Sequence, residues 1–324
     1  MARHRAGVTD PVFRLPYERN TRFTTMDVEA CREWRNAVAR EIRESAMNLS
    51  LSLSVRIAEA SCKTKLHLPF DDLVAVAADC GYAAICMRAS AGGVQTSASE
   101  LGRIKDVVAS HGLRVSMVTA DSKVPLNNEH GPDSLRDIGP SLEVAETLGC
   151  DLIRVCIKDP EDIPCAREAA DRAAERSIRL AHQCHTSSLF ETVNQILSTL
   201  AEIDRSNFGL IYEPANLMLC GQDYGPKTLE RLRPHIMNAY IQNHRLNPGG
   251  EDCLPTYCLG DVRYDHVPVW EDGGLDTSSV FNGLKQIGYD GYFTIHQAQG
   301  IETLDDAKSF AERCSKFVRE STGE

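Results

Sequence analysis

No stretch of the chain approaches the roughly 20 consecutive apolar residues that a membrane-spanning helix requires. The first residues lack the apolar core of a secretory signal. Basic residues are in deficit: 35 Lys and Arg stand against 46 Asp and Glu, a formal net charge of −11. That balance disfavours the broad phosphate attraction on which nucleic-acid binding and anionic membrane association rely. It leaves room for a small anionic substrate held by a few local Arg or Lys side chains. No CxxC pair or zinc-like spacing occurs among the 12 cysteines. Several lie inside apolar runs, as Cys86 and Cys156 do, where a reduced thiol packs as a small hydrophobe. A chain of 324 residues can bury a core large enough to dispense with disulfides. Reduced thiols and a cytoplasmic location are therefore expected.

A glycine-rich G-x-G-x-x-G turn is also missing after the first strand-like run, which removes the main support for a dinucleotide fold. What is present instead is a repeating rhythm. Strand-like runs fall at 51–58, 82–87, 114–119, 151–157, 178–183, 208–213, 237–242 and 292–296. Helical spacing occupies 70–80, 98–111, 133–148, 162–176, 189–204, 226–233, 277–287 and 303–318. Gly81, Gly112, Gly149 and Gly288 sit where helices give way to strands, a position that favours a left-handed residue. Eight alternating units predict a parallel (β/α)8 barrel, with an open doubly wound sheet as the competing arrangement. Barrels of about 250 residues fold as one domain, so 47–324 is expected to be the barrel.

Residues 1–46 differ from the rest, with nine Arg, no Lys and a possible amphipathic helix over Val28–Ala46. They read as an N-terminal extension, an arm or a helix under the barrel, with Met47 a candidate start of the folded domain. The longest interruption, 245–275, is rich in Gly, Pro and Asp and reads as a functional loop or lid.

Barrel enzymes work at the C-terminal ends of their strands. Four successive strands end in chemistry-bearing residues: Gln183 with His185, Glu213 with Asn216, Gln242 with His244 and Arg245, and His296. One such end is commonplace; four at one level point to a site. Glu213, His185 and His296 are the candidate acid–base groups. Asn216, His244, Arg245 and Trp270 are candidate substrate contacts, Arg245 for a phosphate or carboxylate and Trp270 as a sugar platform. Arg56, Glu59, Arg88 and Lys158 could line the rim but read more simply as surface or ion-paired residues.

The turn Glu213-Pro214-Ala215-Asn216 and the run VPVWEDGGLDTSSVFNGLKQIGYDGYFTIH resemble the xylose isomerase-like TIM-barrel superfamily. The resemblance covers about residues 50–320. It implies a sugar or sugar-phosphate isomerase or epimerase, metal-assisted, with a keto-sugar or keto-inositol dehydratase as the alternative. A sugar-binding barrel without catalysis is a third possibility. The superfamily's DNA-repair endonucleases are disfavoured by the negative charge. Oligomers of the same chain are common in the family. A divalent metal (Mn, Mg, Zn or Co) is implied, with Gln183, Glu213, Gln242 and His296 at the four ligand positions. Those positions hold Glu, Asp, His and Glu in the family, so none keeps its usual residue. Three carboxylates become one, which weakens hard-cation binding. Gln183 cannot accept a proton, which leaves a one-base site better suited to elimination or one-face isomerisation.

Overall fold

In a computed structural model the described residues are Met47, 49–120, 129–297 and 300–323. The extension 1–46, with its candidate helix, lies outside them. The β-branched and apolar runs form eight parallel strands that close on themselves. They are β1 (Ser50–Ser54), β2 (Ala84–Cys86), β3 (Arg114–Thr119), β4 (Leu152–Val155), β5 (Arg179–Gln183), β6 (Phe208–Tyr212), β7 (Ile236–Ile241) and, last in the chain, β11 (Tyr292–Ile295). β1 pairs with β2 on one side and β11 on the other, Leu53 standing opposite both Ile85 and Ile295, so the sheet has no edge. Between the strands run the expected helices. That over 133–148 is broken into Asp133–Arg136 and Gly139–Leu148, the second with proline in its first turn. Helix 189–204 begins at Val193, where the Thr192 hydroxyl caps Gln195 N–H. The four glycines named above all take the left-handed conformation, at φ 76°, 73°, 70° and 64°.

Two apolar layers follow from strand alternation. One face of each strand packs on the helices, in a continuous cluster that includes Leu53, Leu73, Ile85, Ile153, Leu180, Leu210, Ile241 and Phe293. The other faces inward and forms a separate plug of Cys86, Met117, Leu152, Ala181, Ile211 and Tyr240, one residue from each of β2 to β7. The Cys86 thiol and the Tyr240 hydroxyl meet at 3.3 Å within it. The lumen is packed core, and any cavity must lie above that plug.

The stretch 245–275 is not an irregular loop. Between β7 and helix Thr277–Gln286 it folds into a three-stranded antiparallel flap of β8 (His244–Leu246), β9 (Asp252–Thr256) and β10 (Gly260–His266), in the order β8-β10-β9. The eleven described cysteines are all free thiols. No helix among the described residues is long and apolar enough to cross a membrane.

Close strand packing gives a direct test. A Cβ added at Gly209 on β6 would lie 2.5 Å from the carbonyl oxygen of His235, whereas one at Gly102 on helix Ala98–Ser110 meets nothing within 4 Å. Urea unfolding of Gly209→Ala is expected to show a loss of about 1–3 kcal/mol from overpacking. Gly102→Ala is expected to gain about 0.5–1 kcal/mol, since alanine restricts the unfolded chain in a helix interior.

Candidate active site

The plug sets the floor of the site. Moving two residues along each strand from a plug residue keeps the same face and rises one level. Cys86 gives Arg88, Leu152 gives Arg154, Ala181 gives Gln183, Ile211 gives Glu213 and Tyr240 gives Gln242. On the two strands that close the barrel, Ser54 leads to Arg56 and Thr294 to His296. This ring surrounds a cavity of about 340 Å³ whose lining includes Arg56, Lys63, Arg88, Arg154, Gln183, His185, Asn216, Gln242, His244 and His296. Leu254, Tyr264 and His266 of the flap complete its wall.

Arg56 sits on the short helical turn Val55–Ala58 that continues β1. Its Nη1 donates to Gln242 Oε1 at 3.0 Å and to the His296 carbonyl at 2.9 Å. Gln242 in turn donates its amide to Glu213 Oε1, and Asn216 donates to Glu213 Oε2 at 2.9 Å. Glu213 is fully buried and lies beneath these two amides rather than on the cavity surface. Burial lifts its carboxyl to about 7, although the positive charges of Arg56 and Arg154 and the Gln242 hydrogen bond oppose the rise.

The imidazoles are driven the other way. Burial, then the charges of Arg56, Arg88 and Arg154, keep His296 neutral far below its ordinary range. Burial, then Arg154, lowers His185 to about 3, and burial with His266 lowers His244 to about 3. His185 donates Nδ1–H to the Thr186 carbonyl at 2.9 Å, the carbonyl having no proton to give, which places its lone pair on Nε2. His296 stacks on Tyr240 at 4.1 Å between ring centres and meets the Ser54 hydroxyl through Nδ1 at 3.2 Å. Gln183 Oε1 and His244 Nδ1 are buried without a hydrogen-bond partner.

The structure thus brings Gln183, His185, Asn216, Gln242, His244 and His296 together, with Glu213 directly below. It does not bring Arg245 or Trp270 to the cavity. In the flap register His244 pairs with His266 and Arg245 with Asp265. Alternation turns the two histidines inward, rings 4.5 Å apart, and sends Arg245 outward to an exposed ion pair with Asp265 at 3.2 Å. Trp270 lies in a separate hollow with Ile301, against Phe310, and its ring carries the Arg313 guanidinium at 4.0 Å. In their place stand Arg56, Arg88, Arg154 and Lys63. Arg88 is buried against Glu59 at 2.9 Å. Lys158 belongs instead with Asp162, whose carboxylate accepts its backbone N–H.

These residues do not fit a divalent cation. Both oxygens of the only carboxylate at the four ligand positions accept from amide N–H groups, the Gln242 oxygen faces a guanidinium, and positive charge surrounds the whole. A different cluster, Glu191, Cys220 and Cys258, has ligand atoms within 4.8 Å of one another. Its carboxylate is already engaged in holding the flap: it accepts from the backbone N–H of Ser187 at 2.5 Å, Tyr257 at 2.7 Å and Cys258 at 2.9 Å.

Comparison with known proteins gives a consistent picture. The family model described as xylose isomerase-like TIM barrel matches residues 74–314. Inosose dehydratase of Geobacillus thermodenitrificans is 24% identical over 156 residues, 47% of this chain and 51% of that protein. Its counterpart in Clostridium perfringens is 22% identical over 153 residues, 46% and 50% respectively. The chain spans about half the length of these curated relatives. Among solved structures, the probable 3-DHS dehydratase AsbF of Bacillus anthracis superposes with a TM-score of 0.61 at 15% identity, covering 82% of this chain and 98% of that one. The D-allulose 3-epimerase of Methylomonas sp. in complex with D-allulose gives 0.60 at 18% identity, covering 85% and 99%. A xylose isomerase-like TIM barrel protein from Mycobacterium smegmatis in complex with magnesium gives 0.60 at 16%, covering 86% and 99%.

The carboxyl buried beneath these amides, that of Glu213, makes stability depend on pH. A carboxyl raised from 4.5 to about 7 binds its proton more tightly in the folded state. Below 4.5 both states are protonated and Glu213 has no effect; stability is then lost as pH rises through that window, by about 3 kcal/mol in all. Urea midpoints compared at about pH 5 and about pH 8 are expected to fall more in the wild type than in Glu213→Gln. Equal falls would place the titration elsewhere.

Proposed function

The chain belongs to the xylose isomerase-like TIM barrel family, and from that membership we propose that it removes water from a small keto-sugar or keto-cyclitol by acid–base chemistry without a metal. The observation that supports this most is the network at the strand ends. A guanidinium, Arg56, is clamped by Gln242 and His296 among residues whose donors suit hydrogen bonding rather than cation binding. The relatives named inosose dehydratase support the reaction class.

The steps use residues already in place. Arg56 spends one nitrogen on the clamp, and its remaining N–H groups stabilise the carbonyl oxygen as negative charge develops on it. His185 Nε2 takes the proton from the carbon beside that carbonyl. The C–H electron pair becomes the new double bond, and the hydroxyl on the next carbon leaves as water with the proton that His185 has just accepted, neutral His296 serving as its hydrogen-bond partner. Gln183, Asn216 and His244 hold the remaining hydroxyls, the unpaired Gln183 oxygen and His244 nitrogen gaining the partners they lack. Glu213 keeps the Gln242 and Asn216 amides oriented and balances part of the positive charge.

The isomerase or epimerase reading with a divalent metal stands second. Inverting a stereocentre requires proton transfer on both faces of one carbon, and Gln183 takes the place of one carboxylate that would do so. Purified full-length protein incubated with a panel of keto-polyols should generate the ultraviolet absorbance of a conjugated enone. His185→Ala is expected to lower turnover about 10²- to 10⁴-fold while the circular dichroism spectrum is unchanged. Turnover should survive EDTA. A product of inverted configuration without an enone, or activity lost to chelator and restored by Mn²⁺, would sink the reading.

A further inference from the structure

A chain of net charge −11 lines its cavity with four cationic side chains, Arg56, Lys63, Arg88 and Arg154, and with no carboxylate among the described residues. Two of the four are accounted for. Arg88 is neutralised by Glu59, which also accepts from the Ser90 hydroxyl at 2.7 Å. Arg56 is fixed by neutral oxygens and serves the reacting carbonyl in the reading above.

The other two are not. The guanidinium of Arg154 and the ammonium of Lys63 make no hydrogen bond or ion pair among the described residues. Both are partly buried. Holding such a charge away from water without a partner is costly, and the cost is removed by a ligand of opposite charge. Lys63 is also one of four non-glycine residues with positive φ among the described residues, at 57°. It is held there by a tight turn in which its N–H donates to the Ala60 carbonyl at 2.8 Å and Ala60 N–H to the Lys65 carbonyl at 3.0 Å. A strained residue presenting a cation to a cavity is best explained by what it binds.

The charges are also sorted by position. The cations come from β4 and from the segments that follow β1 and β2, whereas the imidazoles His185, His244, His266 and His296 come from the flap and from the segments that follow β5 and β11. A ligand can therefore lie with one charged end towards the early strands and its reacting end towards the late ones.

We propose that the substrate carries an anionic group, a carboxylate or a phosphate, and that Arg154 and Lys63 bind it at the early-strand end of the cavity. This deepens the dehydratase reading, on which it rests for the nature of the rest of the ligand. A guanidinium offers a planar pair of donors to either oxyanion, while Lys63 acts as a point charge that follows it.

Isothermal titration of the full chain with sorbitol, gluconate and sorbitol 6-phosphate tests this, because the three share a six-carbon polyol backbone and differ in their charged group. At least one acid is expected to bind about tenfold or more tightly than sorbitol, with affinity falling as salt rises. Arg154→Gln and Lys63→Gln are each expected to weaken that binding about tenfold while leaving sorbitol unaffected. Gluconate or sorbitol 6-phosphate as the tighter ligand identifies the carboxylate or the phosphate. Equal affinity for all three, failure of both acids to bind, or acid binding untouched by the two substitutions overturns the proposal. Acid binding that depends on Arg154 without enone formation from any ketone sinks the dehydratase reading alone. Enone formation from a neutral ketone with no preference for acids sinks the anion proposal alone.

Discussion

The clamp on Arg56 is the constraint from which the rest of the site follows. One guanidinium reaches from the end of β1 to Gln242 at the end of β7 and to the main chain at the end of β11, joining the strands that close the barrel. Because Arg56 claims the Gln242 oxygen, the amide nitrogen of Gln242 is turned towards Glu213. Asn216 takes the other oxygen of Glu213. The only carboxylate at the four strand-end positions is thereby drawn beneath the two amides and off the cavity surface. A fixed positive charge is left above it, and both oxygens of that carboxylate, with the Gln242 oxygen, are already engaged in hydrogen bonds.

That arrangement sets the electrostatics of everything nearby. Buried imidazoles beside three arginines stay neutral, so the histidines of the site are lone-pair donors and hydrogen-bond partners rather than charges. Glu213, shielded from water but facing the same arginines, is left between its two protonation states near neutrality. Where the family resemblance implies carboxylates gathered around a cation, the cavity wall here carries cations and, among the described residues, no carboxylate.

Much of this was legible in the sequence because strand alternation is strict. The eight strands, the glycine stops and the four polar strand ends on β5, β6, β7 and β11 follow from period-two patterning and its punctuation. Arg154 carries no strand-end signal, because it is the third residue of β4. Counting two positions from the plug residue Leu152 would have found it. Arg56 and Arg88 read from the sequence as surface or ion-paired residues; Arg88 is ion-paired, to Glu59, but nothing local reveals that the barrel brings both to one level. The flap was hidden by its own composition: Pro255 and the glycines of 245–275 argue for loop, and antiparallel pairing with Arg245 turned outward appears only once both strands are placed. Glu191 carried no signal, because all three N–H groups it accepts belong to a turn and a flap distant or irregular in sequence.

The flap is inserted within a single strand-to-helix connection and is tied down chiefly through Glu191 and the bond from the Ser187 hydroxyl to the Pro255 carbonyl at 2.8 Å. It nevertheless supplies Leu254, Tyr264 and His266 to the cavity wall. The molecule is therefore divisible along a seam: a barrel that holds the reacting groups, and a cassette that shapes what they meet. Replacing the cassette between residues 244 and 275, with its Glu191 anchor kept, would exchange selectivity without rebuilding the barrel, a route by which one scaffold can diversify its ligands while its chemistry stays in place.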